Sequence, residues 1–281
     1  MDIDIQPLSQ KIGARVIGID LSQPLDEATF ERLHAAWLES AVLAFPAQEA
    51  MTVADHVTFS RRFGELDTDS LARNSLAGHP EIFVVSNVTE EGKFVGARVS
   101  RSWHSDGQYL TEPTKASILH AREVPPSGGD TLFVNMAAVL DALPNATRQR
   151  IDGLRVVHSR VKTHPILFPS WPPLTEVEKA CMPDAIHPLV RAHPETGRKA
   201  LYVGGNSAWE IEGMPHDEGR ALIQELRDFA TGERFVYAYR WSIGDVLLWD
   251  NRCAMHCPTD FDEATHRRVM YRTTVKGDAP V

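Results

Sequence analysis

Apolar and polar positions alternate loosely from Ile5 to Ile19, with Gly13 and Gly18 as turn residues, and this spacing predicts a short hairpin against a sheet. The period then lengthens. Phe30, Leu33, Trp37 and Leu38 recur at helical spacing behind Pro24 and Asp26, which predicts a helix capped by Asp26. The unbroken apolar run Val42 to Phe45, ended by Pro46, reads as a buried strand. Thr52 and Asp55 have capping-box spacing and open a second helix through Val57, Phe59 and Phe63 to a stop at Gly64.

From Ile82 onward the pattern is one of short strands: Ile82 to Val85, Ser117 to His120, Thr131 to Phe133, Leu154 to Val157, His187 to Arg191 and Ala200 to Val203. Pro125 to Asp130 forms a turn, and a helical stretch from Met136 to Leu143 is cut by Pro144. Leu222, Ile223, Leu226 and Phe229 mark one more amphipathic helix. Phe235 to Trp241, Asp245 to Trp249 and Val269 to Val275 complete the chain as strands. Between 159 and 186 neither period holds, and the proline-rich stretch includes Phe168 and Trp171. It reads equally as a lid over a site or as a surface excursion. Many short strands with helices to one side suggest a mainly β sandwich or jelly roll with helical cover. No internal repeat or linker composition divides the chain, so residues 1–281 are expected to form a single domain with a lid-like segment over 159–186.

Composition narrows the partners. With 281 residues, 43% hydrophobic and 24% charged, the chain can bury a core and has no low-complexity character. A net charge of −9 argues against nucleic-acid and anionic-membrane partners, both of which need clustered basic surface. A small anionic ligand held by a few placed arginines is still compatible with it. The start Met1-Asp2-Ile3-Asp4 lacks the basic and apolar regions of a signal peptide, and no apolar run reaches membrane-spanning length, so a cytoplasmic location is expected. Cys181, Cys253 and Cys257 are odd in number and lack Cys-x-x-Cys spacing, which indicates neither a disulfide framework nor a zinc ribbon. Self-association is left open.

The candidate chemistry begins at Ser102-Trp103-His104-Ser105-Asp106-Gly107. On an extended strand His104 and Asp106 would point to one face, and an imidazole with a carboxylate can hold two adjacent positions around a metal. The pair alone has little specificity, since a capped histidine in a surface turn has the same pattern. A third ligand must come from elsewhere. The last quarter offers His256, reached by a strand, followed by a turn containing Pro258 and a returning strand with Arg267, Arg268 and Arg272. In such a hairpin a histidine and an arginine can face one pocket, and an arginine fork binds a carboxylate through two parallel hydrogen bonds.

This combination resembles the Fe(II)/2-oxoglutarate dioxygenases of the taurine and 2,4-dichlorophenoxyacetate dioxygenase family, from about Ile5 to Lys276. Five ordered landmarks support the resemblance: Trp103 to Asp106, Gly128-Gly129-Asp130-Thr131, His187 to Pro194, Trp249-Asp250-Asn251-Arg252 with His256, and Arg267-Arg268 with Arg272. It implies a double-stranded β-helix, a cupin-like jelly roll, with helices on the major sheet. It also implies that His104, Asp106 and His256 bind Fe(II), that Thr131 and Arg268 hold the distal carboxylate of 2-oxoglutarate, and that Arg272 meets the anionic end of a small organic substrate. O2 would be the other partner, and hydroxylation with release of succinate and CO2 the outcome. Arg267, next to Arg268 on a strand, should face away as a solvated charge.

By the same resemblance, taurine suits this chain poorly. Asp67 and Asp69 follow the second helix where the taurine branch places a histidine, and Gly204-Gly205-Asn206-Ser207 lacks a bulky aromatic. Ser86-Asn87-Val88 and Phe235-Val236-Tyr237 look more like the aryloxyacetate branch, so the expected substrate is an aryloxyalkanoate-type carboxylate, with taurine or another sulfonate as the alternative. A zinc hydrolase using the same His-Asp-His set and a non-catalytic binding jelly roll are the competing classes. The Thr131 and Arg268 pair counts against the hydrolase, because hydrolysis gives no reason for a second carboxylate site. Trp103 and Trp249 are expected in the core, His120, His158, His187 and His193 as hydrogen-bonded structural histidines, and Gly128 and Gly129 in a turn that binds no phosphate.

Overall fold

A computed structural model describes residues 3–68, 74–90, 93–94, 102–167, 172–205 and 207–281. Met1, Asp2, Asp69, Phe168, Trp171 and Asn206, which enter the reading above, lie outside the described residues.

The N-terminal part runs β1 (Asp4–Pro7), β2 (Ala14–Ile17), α1 (Glu27–Ser40), β3 (Val42–Phe45) and α2 (Val53–Arg61). Next come β4 (Ser75–Leu76), β5 (His79–Ser86), β6 (Thr89–Glu90), β7 (Lys93–Phe94), β8 (Ala116–Glu123) and β9 (Thr131–Asn135). The middle contains α3 (Met136–Ala142), α4 (Asn145–Ile151), β10 (Arg155–His158), α5 (Arg160–Leu167), α6 (Glu176–Ala180), β11 (Ala185–Pro188), β12 (Val190–Ala192), β13 (Lys199–Leu201) and β14 (Ala208–Ile211). The chain ends with α7 (His216–Ala230), β15 (Tyr237–Tyr239), β16 (Val246–Asp250), β17 (Ala254–Pro258) and β18 (Val269–Val275).

Local chemistry explains most of these boundaries. Asp26 accepts from the Thr29 N–H at 2.7 Å and starts α1, which buries Leu33 and Trp37 and ends at Ala41 in the left-handed region. Each such fully buried large side chain contributes roughly 1.5–3 kcal/mol. Thr52 and Asp55 make the reciprocal capping box of α2. The N-terminal hairpin forms as β1 against β2.

Eight strands build the major sheet in the order β1-β2-β3-β16-β8-β18-β5-β4. A smaller sheet, β15-β9-β17, faces it. β16 is apolar at every position before Asp250 because both its faces are buried. Val246 and Leu248 pack outward under α1 and α2, whereas Leu247 and Trp249 pack inward between the sheets. A third core lies under α3 and α7 around Leu222, Ile223 and Leu226. The facing sheets with their helical cover form a double-stranded β-helix, a cupin-like jelly roll.

Four expectations change. Pro144 ends α3 but also stands at the N-cap of α4, where the missing proline N–H leaves no helical bond unmade. Among its described residues the segment 159–186 contains two helices, α5 interrupted in period by Pro165, and α6 opened by a Thr175–Glu178 capping box. His187 to Arg191 is two strands: β11 pairs with β10, and β12 pairs with β13. Finally, His256 and the arginines do not share a hairpin. β17 pairs with β9 in the small sheet and β18 with β8 and β5 in the large one, so these side chains meet across the interior of the sandwich. No helix among the described residues is long and apolar enough to cross a membrane.

Candidate metal centre

His104 and Asp106 are not on a regular strand. His104 forms an isolated bridge to His256, with backbone hydrogen bonds of 3.0 and 2.8 Å in the two directions, and Asp106 opens the turn that follows. The Ser105 hydroxyl donates to the Ala254 carbonyl at 2.7 Å and fastens this loop to β17. His-x-Asp thus converges on one point because an extended residue is followed by a turn. The reacting edges of His104, Asp106 and His256 all lie within 4.8 Å of one another.

The donor set suits a divalent metal. His104 Nδ1 lies 2.7 Å from the Ser102 carbonyl, which can only accept, so Nδ1 carries a proton and Nε2 is the nitrogen turned toward Asp106. His104 Nε2 is 3.7 Å from Asp106 Oδ1 and His256 Nε2 is 4.0 Å from Oδ2, beyond hydrogen-bonding reach and close enough for a shared ion. Burial pushes His256 down to about 3, so its ring is neutral. Burial alone would raise the Asp106 carboxyl. The Arg272 guanidinium, with the Ser117 hydroxyl donating to the carboxylate, outweighs burial and holds the group well below the usual carboxylate range. Two imidazoles and one carboxylate could supply the facial set that non-haem iron takes.

His104, Thr131, His256, Arg268 and Arg272 line one small pocket, walled by Val85, Leu119 and Trp249. The parity of β18 explains the arginines: Arg268, Met270 and Arg272 point inward, while Arg267 points outward, exposed and paired with Glu123. Arg268 is 6% exposed, and among the described residues no carboxylate pairs with its guanidinium. Burial lowers it to about 10. Its backbone N–H donates to Asn87 Oδ1 and its Nε to the Gly129 carbonyl. Gly129 has a φ of 67°, and a Cβ there would press on the Arg268 side chain, so the two glycines serve the turn that seats this arginine. Thr131 accepts from the Trp241 indole N–H at 2.9 Å. A buried cation and a buried hydroxyl lining one pocket could receive a carboxylate. Arg272 donates from Nη1 to Asp106 Oδ1 at 3.1 Å and lies over the Phe83 ring at 4.8 Å.

Ser117 and Asn251 contact the site and carried no clear sequence signal. A lone serine on a strand looks like any other, and Asn251 was visible only as part of a landmark. A second cluster, His193, Asp250 and Cys253, also has donor atoms within 4.8 Å of one another. Arg252 occupies both oxygens of Asp250, and burial raises the Cys253 thiol, so this cluster is an ion-pair network beside a neutral thiol. His193 bonds to Asp250, His187 to the Leu110 carbonyl and His158 to Ser207, whereas His120 packs on His56.

A family model described as "Taurine catabolism dioxygenase TauD, TfdA family" matches residues 4–274. The alpha-ketoglutarate-dependent 2,4-dichlorophenoxyacetate dioxygenase of Cupriavidus pinatubonensis is 35% identical over the full length of both chains. The (S)-phenoxypropionate/alpha-ketoglutarate-dioxygenase of Sphingobium herbicidovorans is also 35% identical, over 98% of this chain and 95% of that protein. Among solved structures, AAD-2 in complex with Mn(II) and N-oxalylglycine superposes with a TM-score of 0.86 at 32% identity, covering 100% of this chain and 99% of the other.

Proposed function

The chain belongs to the taurine catabolism dioxygenase TauD, TfdA family, and from that premise we propose that it hydroxylates an aliphatic C–H of an aryloxyalkanoate-type carboxylate. As a member it is a 2-oxoglutarate-dependent dioxygenase that uses Fe(II). In this reading His104, Asp106 and His256 hold the iron, Thr131 and Arg268 the distal carboxylate of 2-oxoglutarate, and Arg272 the anionic end of the substrate. Residues 1–281 act as one domain, with Arg160, at the start of the 159–186 segment, near the mouth of the site. The Arg160 guanidinium over the Tyr109 ring, at 5.0 Å, supports that placement, because Tyr109 belongs to the turn opened by Asp106. Iron bound there, with 2-oxoglutarate and O2, supplies the oxidant for C–H hydroxylation, and the oxo acid leaves as succinate and CO2.

The observation that carries the reading is Arg268, a buried guanidinium without a carboxylate partner among the described residues, in one pocket with two of the metal-binding histidines. Isolated buried charge is costly, and a dianionic cosubstrate would offset that cost. The substrate assignment rests on Arg272. Its guanidinium bonds to Asp106 and lines the same pocket as His104 and His256, so an anion bound to it would bring a neighbouring C–H toward the metal ligands. Aryloxyacetates and 2-aryloxypropionates have their reactive C–H beside the carboxylate. The hydroxylated carbon, joined to the ether oxygen, is a hemiacetal or hemiketal; its bond to the aryl oxygen breaks as the hydroxyl proton passes to that oxygen, leaving a phenol and a 2-oxo acid. Val85 and Leu119 give the apolar wall that an aryl body needs.

The test is anaerobic titration with Fe(II) and 2-oxoglutarate, followed by the visible charge-transfer band, with His104→Ala, Asp106→Ala and Arg268→Ala alongside. A band lost in the variants, and phenol release from aryloxyacetates in air, are expected. Succinate release with alkylsulfonates and none with aryloxyacetates would reassign the substrate, and iron binding without a band would overturn the cosubstrate site.

A further inference from the structure

Asn251 is fully buried, and its side chain closes a ring of hydrogen bonds around the carboxylate ligand. Asn251 Oδ1 accepts from the Asp106 backbone N–H and from the Trp249 indole N–H, both at 3.0 Å. Asn251 Nδ2 donates to Ser117 Oγ at 3.0 Å, and Ser117 donates to Asp106 Oδ2 at 2.7 Å. The direction of every bond in this ring is determined. Two backbone or indole N–H groups can only donate, so the amide oxygen must face them and the amide nitrogen must face Ser117. Ser117, receiving that proton, has its own hydroxyl proton left for Asp106. The hydroxyl therefore meets Asp106 Oδ2 as a donor and fixes that oxygen as an acceptor.

The same amide reaches the third ligand. Among the described residues His256 Nδ1 has no hydrogen-bond partner, so nothing polar sets the ring's orientation. Packing sets it, with the His104 ring 4.3 Å away, the Trp249 ring 4.8 Å away and Phe133 6.2 Å away. Trp249 is itself anchored through its indole N–H on Asn251. Register permits this convergence, because Trp249 on β16 lies opposite Ser117 on β8, and Asn251 follows directly where β16 ends.

We propose that Asn251 is a positioning residue of the metal centre, which aims the Asp106 carboxylate through Ser117 and the His256 imidazole through Trp249. The proposal rests on the metal-site reading above. It is tested by Mn(II) binding to the full chain, read by electron paramagnetic resonance of the free ion, with the thermal midpoint of the metal-free chain alongside. In Asn251→Asp the new oxygen cannot donate to Ser117, so the hydroxyl turns toward it and away from Asp106. Ser117→Ala removes the same bond with less disturbance. Each is expected to weaken Mn(II) binding by about 10–100-fold, as loss of an outer hydrogen bond to a ligand does.

Because both act along one chain of bonds, the double variant should bind no more weakly than Asn251→Asp alone. Ser117→Thr, which keeps the hydroxyl, should bind within about threefold of the parent. Single variants that bind like the parent, or losses that multiply in the double variant, would overturn the proposal even if thermal midpoints fall. A parent chain whose Mn(II) binding is unaffected by His104→Ala or Asp106→Ala would instead remove the metal-site reading, and this proposal with it.

Discussion

Arg272 Nη1 donates to Asp106 Oδ1 at 3.1 Å, so the proposed substrate anchor and the proposed metal carboxylate form one ion pair. Arg272 Nε is buried and has no partner among the described residues, which leaves part of the guanidinium for a substrate anion. Arg272→Gln keeps a donor near Asp106 and removes the charge. A charge-assisted hydrogen bond contributes about 1.5–3 kcal/mol, so KM for the carboxylate substrate should rise about 10–100-fold. The affinity for 2-oxoglutarate, measured by the charge-transfer band, should change by less than about threefold. Equal losses in both would show that Arg272 acts only on the metal ligand.

Arg268 leads to the opposite expectation for stability. Its charge is buried and pushed down to about 10, with Asp130 the one group that favours it. Arg268→Met replaces that cation by an apolar chain of similar length, so the ligand-free protein should be as stable as the parent or more so, by about 1 kcal/mol. The parent should gain about 2.7 kcal/mol with 2-oxoglutarate at a hundred times its Kd, and the variant should gain nothing. Thermal melts with and without the oxo acid read both effects. A destabilised variant that still responds to 2-oxoglutarate would move the carboxylate site elsewhere.

Much of the fold was legible where one residue's environment is decided locally. Asp26 and Thr52 signalled the first two helices through side-chain caps, and β3 announced burial on both faces by its unbroken apolar run. The Thr175–Glu178 box of α6 carried the same kind of signal inside a segment that read as irregular. The period of α5 was hidden by Pro165. The site was legible as residue types and only partly as geometry. His104 and Asp106 converge through a bridge and a turn, and His256 faces the arginines across two sheets. Ser117 could not be read at all, because its role depends on which strand pairs with β16, and pairing partners far apart in sequence are not set by local pattern.

Buried neutral histidines set the acid limit of the fold. Burial pushes His56 and His158 down to about 3 and His120 to about 4, with a neighbouring histidine or Arg122 adding to it. In the unfolded chain these groups titrate near 6.5, so between about pH 4 and 6.5 the unfolded state holds more protons. Stability should therefore be level above about pH 6.5 and fall as the pH drops through this window, by up to about 1.4 kcal/mol per pH unit for each histidine. His56→Leu gives up a hydrogen bond to Thr273 at neutral pH and should show a shallower acid slope. Urea unfolding of the metal-free chain from pH 7 to 4.5 measures both, and an unchanged slope would mean that His56 is protonated in the fold.

Asp250 tests whether the neighbouring cluster is structural. Its carboxylate is fully buried and receives Arg252 Nε at 2.8 Å, Arg252 Nη2 at 2.6 Å and His193 Nε2 at 3.0 Å, while Arg252 continues to Glu195. Asp250→Ala leaves a buried guanidinium without its main partner and should cost about 3–5 kcal/mol. Adding Arg252→Met removes the stranded charge, so the double variant should recover part of that loss. Chemical denaturation of the single and double variants decides this. A double variant less stable than Asp250→Ala would show that Arg252 contributes chiefly through its packing on the Trp37 ring, 5.0 Å away, and not through the ion pair.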